Sequence, residues 1–193
     1  MSNHKKSLNI GAGKRSHADI DLDISPLDGI DVLGDMHQLP FDDNTFSEVY
    51  LEHVLEHSVD VLAVLNEIHR ISKEEALVYI RVPHGLTIRG IRDPTHEQYF
   101  SLRSIEHFCT DNNLLPSWYF DKRFSLVSAE LKTKQPNKMT DGGKLQDVIR
   151  RVGYIFNRAV SIVANKEPEV FEPIVSLTSY IDIEWNLKVI CKK

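Results

Sequence analysis

Five short apolar runs, each bounded by turn or breaker residues, fill the first 83 residues and fix most of what this chain can become. They cover residues 7–10, ending in Gly11-Ala12-Gly13; 20–24, ending in Ser25-Pro26; 30–33, ending in Gly34-Asp35; 46–51, preceded by Asp42-Asp43-Asn44; and 76–82, ended by Pro83. Each has the length of a strand. Between the fourth and fifth, Val61, Leu62, Leu65, Ile68, His69 and Ile71 repeat at helical spacing behind Ser58 or Asp60 as a cap. Strand, helix and strand, with apolar strands, predict a parallel sheet with helices on its faces. The link at residues 14–19 is shorter than the about ten residues a crossover helix needs, so a single turn or a loop reaches the second strand.

The second half is less regular. Residues 101–110 read as a short helix, 124–131 and 183–191 as strands, and 135–143 as a polar loop with Pro136 and Gly142-Gly143. Residues 144–164 form an amphipathic helix with Leu145, Val148, Ile149, Val152, Ile155, Phe156, Ala159, Ile162 and Val163 on one face. With 193 residues the chain makes one domain with a full core. No apolar run approaches the roughly 18 residues of a membrane span, and the first ten residues lack the apolar stretch of a signal peptide. Cys109 and Cys191 are too few for a disulfide framework or a structural zinc site, which fits a reducing cytoplasm.

Charge is distributed unevenly. Residues 1–121 carry 10 Lys and Arg against 20 Asp and Glu, and residues 122–193 carry 13 against 8, so −10 and +5 make the net −5. An acidic first part speaks against nucleic acid as a partner, because that binding rests on neutralising phosphates.

The ends of the strands carry the chemistry. Leu8-Asn9-Ile10-Gly11-Ala12-Gly13 is a strand running into a glycine turn, which lets a ligand approach the backbone. Asp23 closes the second strand, where an acidic side chain can bind ribose hydroxyls. Gly34-Asp35-Met36 closes the third, ahead of Leu39-Pro40-Phe41, and Glu52-His53-Val54-Leu55-Glu56-His57 follows the fourth. In this order the set resembles the class I S-adenosylmethionine-dependent methyltransferases, in particular the small bacterial type with a shortened glycine loop (methyltransferase type 11-like). The likeness runs from Leu8 to His84 and resumes at Asp93-Pro94-Thr95-His96 and at residues 185–190.

The resemblance implies a Rossmann-like fold with a mixed seven-stranded sheet in the order 3-2-1-4-5-7-6, the last strand antiparallel and the first helix shortened. It implies S-adenosylmethionine as cofactor. Gly11, Ala12 and Gly13 would pass beneath its methionine part. Asp23, with Ile24 beside it, would accept from the ribose hydroxyls. Asp35 would accept from the adenine amino group, Met36 would pack on the ring, and Glu52 and His53 would border the sulfonium. The acceptor it implies is a small molecule of saccharide or lipid pathways. The sequence departs from the pattern in three places: the helix after the glycine turn is nearly absent, Ser72-Lys73-Glu74-Glu75 replaces a proline-glycine-glycine turn, and the turn has two glycines rather than three.

Methyl transfer from a sulfonium is an in-line displacement that needs positioning and exclusion of water, and an oxygen or nitrogen nucleophile also needs a base. His84 or His96 is the candidate base, with Asp93 orienting it. Other classes remain. A dinucleotide fold also has glycines and an acidic residue here, but Ser16 stands at the third position of G-x-G-x-x-G. His53, Glu56 and His57 match the H-x-x-E-H of zinc peptidases, and on a helix the two imidazoles would share a face. The same letters occur in the resembled methyltransferases without metal. A protein that binds the nucleotide cofactor without catalysis is the third class.

The helix at residues 144–164 carries Lys144, Arg151 and Arg158 at seven-residue spacing, with Arg150 alongside. It reads either as a packed or dimer helix with a solvated basic face, or as a surface that attracts an anionic substrate or a membrane. As an insertion over about 142–178, it is expected to cover the carboxyl edge of the sheet.

Overall fold

A computed structural model describes residues 5–15, 17–110, 115–116, 119–121, 123–133, 144–167 and 181–190. Ser16, Trp118, Cys191, the expected loop at 135–143 and both ends of the expected insertion lie outside the described residues. Seven strands form one sheet: β1 (Ser7–Ile10), β2 (Ile20–Asp23), β3 (Val32–Leu33), β4 (Phe46–Glu52), β5 (Ser72–Pro83), β6 (Arg123–Thr133) and β7 (Ile181–Ile190). Their order is β3-β2-β1-β4-β5-β7-β6. β1 to β5 pair in parallel, and β7 is antiparallel to both β5 and β6. The carboxyl ends of the parallel strands therefore lie on one edge, where open α/β sheets bind ligands.

Helix α1 (Val61–Ile71) makes the crossover between β4 and β5 and buries Val64, Leu65, Ile68 and Ile71 against the sheet. Its cap is Asp60, whose carboxylate accepts the Ala63 N–H at 3.0 Å. Asp60→Ala is expected to destabilise the fold by about 1 kcal/mol, read by thermal unfolding. Arg70 on the same helix forms paired bonds of 2.7 Å to both oxygens of Glu67 and also donates to the carbonyls of Leu39 and Phe41. Glu67 in turn accepts the Leu39 N–H, so the helix clamps the loop that follows Asp35. The central core is Leu8, Ile10, Val49, Leu51, Val78 and Ile80 from the inner strands, extended by Trp185 of β7. The Trp185 indole N–H donates to the Leu102 carbonyl at 2.8 Å, so its one polar atom is satisfied while the ring is fully buried.

The link after the glycine turn takes the loop alternative: residues 11–19 outside Ser16 carry no helix. Two expectations change. Ser72-Lys73-Glu74-Glu75 is not a turn before β5 but its first part, because Glu75 takes a left-handed φ of 65° and the pairing with β4 slips between Phe46 and Glu48. The segment expected to be helical at 101–110 holds only a 3-10 turn at Ser104–Phe108. Helix α2 (Ile88–Arg92) follows β5, and helix α3 (Lys144–Lys166) lies between β6 and β7 and rests on the edge strand β6. Among the described residues no helix is long and apolar enough to cross a membrane.

Candidate active site

The glycine turn is held against the end of β2. The N–H groups of Gly11 and Ala12 both donate to the Leu22 carbonyl, at 2.8 and 3.1 Å. Gly11 has φ +67°, and a Cβ there would stand 2.4 Å from Val54 Cγ2. Gly13 has φ +59° with nothing among the described residues within 4 Å of a Cβ, so its outer face is open there. The Gly13 N–H donates to Asp23 Oδ2 at 2.9 Å, and Asp23 Oδ1 accepts the Ser25 N–H at 2.8 Å. Each carboxylate oxygen keeps one further acceptor position. The Asp23 carbonyl accepts the Gly34 N–H at 3.0 Å, which places Asp35 and Met36 beside it. Ile24 is 74% exposed, a large apolar side chain left uncovered next to Asp23, and Met36 is half-buried against the core. Hydrogen bonds from the His37 backbone and ring hold the Asp35 carboxyl below the usual carboxylate range. Glu52, closing β4, pairs with Arg15 at 3.2 Å and stands 3.9 Å from His17.

Beyond β4 a cleft of about 410 Å³ opens between the 53–57 segment and α2 with the loop after it. His53 leaves the strand with φ +57°. Its Nδ1 is 3.5 Å from Glu56 and its Nε2 is 3.4 Å from Asp182. Burial pushes the His53 pKa down, but the bonds to Asp182 and Glu56 outweigh it and the net direction is up. Asp182, fully buried, also receives Arg81 at 3.0 Å and Arg89 at 2.8 Å. Burial alone would raise its carboxyl; His53, Arg89 and Arg81 together hold it below the ordinary value.

On the opposite wall His96 Nδ1 lies 2.6 Å from the Gly90 carbonyl. A carbonyl can only accept, so Nδ1 carries a proton, and in the neutral imidazole the lone pair is on Nε2. Asp93 does not orient that ring from behind: its Oδ1 is taken by the N–H and hydroxyl of Thr95, and its Oδ2 stands 4.0 Å from His96 Nε2. His84 does not line the cleft. It is fully buried, and its Nδ1 accepts the Leu86 N–H at 3.2 Å. The H-x-x-E-H segment is not a helix: only Leu55–His57 form a 3-10 turn, and the His53 ring is engaged by Asp182 and Glu56. The groups that could share a cation are instead Glu56, His57 and His96, with ligand atoms within 4.8 Å of one another. Glu56 is 1% exposed and its Oε2 has no hydrogen-bond partner among the described residues.

Residues 9–80 match the family model described as a methyltransferase domain. The match covers 72 of the 193 residues, and the seven-stranded sheet around it has the class I methyltransferase fold. No curated protein matches it. The methyltransferase fold recurs in a putative methyltransferase from Bacillus halodurans (TM-score 0.59, 12% identity, 99% of this chain and 95% of that one). A SAM-dependent methyltransferase from Archaeoglobus fulgidus gives 0.58 at 16% identity, covering 96% and 86%. The YcgJ protein of Bacillus subtilis gives 0.57 at 14%, covering 98% and 93%. S-adenosylmethionine is the cofactor of the methyltransferase domain. The open face of Gly13, the spare acceptor positions of Asp23 and the uncovered Ile24 fit an adenosyl group along this edge. Arg89 and Arg92 of the cleft, and Gly90 and Asp182, which bond its His96 and His53, went unnoticed in the sequence. Only Asp182 left a signal, a charge inside the apolar run of the last strand.

Proposed function

We propose that the domain transfers the methyl group to an oxygen of a small anionic acceptor seated in the cleft beside the donor groove, with His96 taking the acceptor's proton. S-adenosylmethionine supplies an electrophilic methyl on its sulfonium. Gly11, Ala12 and Gly13 underlie the donor's methionine part, Asp23 with Ile24 takes the ribose, Asp35 with Met36 takes the adenine, and Glu52 and His53 border the sulfonium. The observation that carries the acceptor side is the fixed tautomer of His96, whose Nε2 lone pair is held ready by the Gly90 carbonyl. Asp93 Oδ2 stands 4.0 Å from that nitrogen. His84 supports the loop from below. Arg92 lines the cleft, is exposed, and has no ion pair among the described residues, which supports a phosphate or carboxylate on the acceptor. Phosphorylated saccharides are acceptors of this chemistry, and we place the reaction in the cytoplasm.

Calorimetry with S-adenosylhomocysteine is expected to show one site per chain. No heat at millimolar excess would remove the donor reading. Release of S-adenosylhomocysteine is then followed across phosphorylated and neutral saccharides. Turnover is expected only with the phosphorylated ones, His96→Ala lowering kcat about a hundredfold and Arg92→Ala raising KM about tenfold. Binding without release from any acceptor would make this a cofactor-binding protein instead.

A further inference from the structure

Helix α3 sits the wrong way round for a core helix. The side that holds the sheet is mixed and only weakly apolar: Asn157, Ser161 and Ala164 are buried, Val160 packs against the core, and the Asn165 amide forms a two-point bond to the backbone of Leu131 in β6, accepting its N–H at 2.6 Å and donating to its carbonyl at 3.1 Å. Its apolar stripe faces outward. Val152 is 60% exposed, Ile155 66%, Phe156 48% and Ile162 52%. With the exposed Ala159 and Val163 between and beside them, these residues recur at three- and four-residue intervals and so form one continuous band. Leaving such a band in water is unfavourable in proportion to its area, and contiguous apolar patches of this kind mark interaction surfaces.

Charge selects the occupant. Lys144, Arg150, Arg151, Arg158 and Lys166 stand on the helix against Asp147 alone, a net +4 within a chain of net −5. By helical period Arg151 and Arg158 run along one border of the stripe. Arg151, Arg158 and Lys166 are exposed. A second copy docked on this face would oppose like charges. An anionic bilayer would take the apolar band into its acyl boundary and meet the basic border with its headgroups. We infer that α3 is a preformed in-plane anchor that lays the methyltransferase domain on an anionic lipid surface. The Asn165–Leu131 clamp fixes the stripe outward before contact, so little ordering is required on binding. The inference rests on α3 and β6 and not on the acceptor chemistry.

The full chain is sedimented with vesicles of phosphatidylglycerol and phosphatidylcholine in equal parts, and with phosphatidylcholine alone. Pelleting is expected with the first and not the second, weakening severalfold as salt rises from about 0.05 to 0.5 M because the surface field is screened within a shorter length. Ile155→Asn with Ile162→Asn, and separately Arg151→Glu with Arg158→Glu, are each expected to reduce vesicle binding at least tenfold. S-adenosylhomocysteine binding and thermal unfolding should stay as in the unaltered chain, since these side chains are exposed. Equal pelleting with both vesicles, or none, overturns the inference. So does a vesicle-free dimer that the Ile155→Asn, Ile162→Asn chain loses. Loss of S-adenosylhomocysteine binding in the unaltered chain would strike the donor reading and leave the vesicle result standing.

Discussion

Asp182→Asn is expected to cost about 3 kcal/mol of folding stability, the lower end of the about 3–5 kcal/mol seen when one partner of a buried ion pair is removed. The fully buried carboxylate gathers three cationic groups: Arg89 at 2.8 Å, Arg81 at 3.0 Å and the His53 ring at 3.4 Å. The amide keeps the volume but loses the charge and one acceptor, leaving two guanidinium groups under-compensated. Both remain 22–24% exposed and regain some water, which sets the figure at the low end. The pH dependence carries the sign. The folded carboxyl titrates below its unfolded value, since its cationic partners outweigh the desolvation that would raise it. Its contribution is complete above the unfolded value near 3.8 and is lost as pH falls through the lower folded value. Urea unfolding of the two chains at pH 7 should differ by this amount, and the gap should narrow only in strongly acidic solution. A gap that stays constant to pH 3 would show that shape rather than charge is being measured. Arg89 and His53 both line the cleft, so the variant should also lower turnover beyond what its stability loss explains.

The strand ends proposed to hold the donor stand out in the sequence because each of their features is local. Gly11, Asp23 and Asp35 stand directly after apolar runs, and in a parallel sheet the strands' carboxyl ends fall together without any knowledge of loops. The strand order followed from the resemblance, not from the runs themselves. The acceptor side was less visible for physical reasons. His53 and His57 look like a helical pair, but the left-handed turn at His53 is set by where β4 ends. His84 and His96 are equivalent in the sequence; what separates them is that His84 is packed beneath Gly90 while His96 bonds to that glycine's carbonyl. Asp182 reaches His53 across 129 positions and through a strand pairing. The stripe on α3 was legible as a stripe, yet its direction depends on Asn165 finding the free backbone of Leu131. Periodicity says that a face exists and not which way it turns.

Gly11→Ala separates what a glycine does for the fold from what it does for the ligand. The added methyl would meet Val54 Cγ2 at 2.4 Å and Cβ at 2.7 Å, neither of which real Cβ atoms tolerate, and the backbone stays at φ +67°. Forcing a methyl into packed side chains costs about 1–3 kcal/mol, and a left-handed alanine adds about 1 kcal/mol, so a loss of about 3 kcal/mol is expected. Val54→Ala in the same chain should return the packing part and not the backbone part, and a double-mutant cycle should show a coupling of about 1–2 kcal/mol. Gly13→Ala shares the backbone cost, with φ +59°, but its methyl meets nothing within 4 Å. It should lose only about 1 kcal/mol of stability. The open space over Gly13 is where the donor's methionine part is proposed to lie, so that small loss should come with at least a tenfold loss of S-adenosylhomocysteine affinity. The two alanines are therefore expected to rank in opposite order, Gly11→Ala the less stable and Gly13→Ala the weaker binder per unit of stability lost. Equal affinity for the ligand in the unaltered and Gly13→Ala chains would move the donor off this turn.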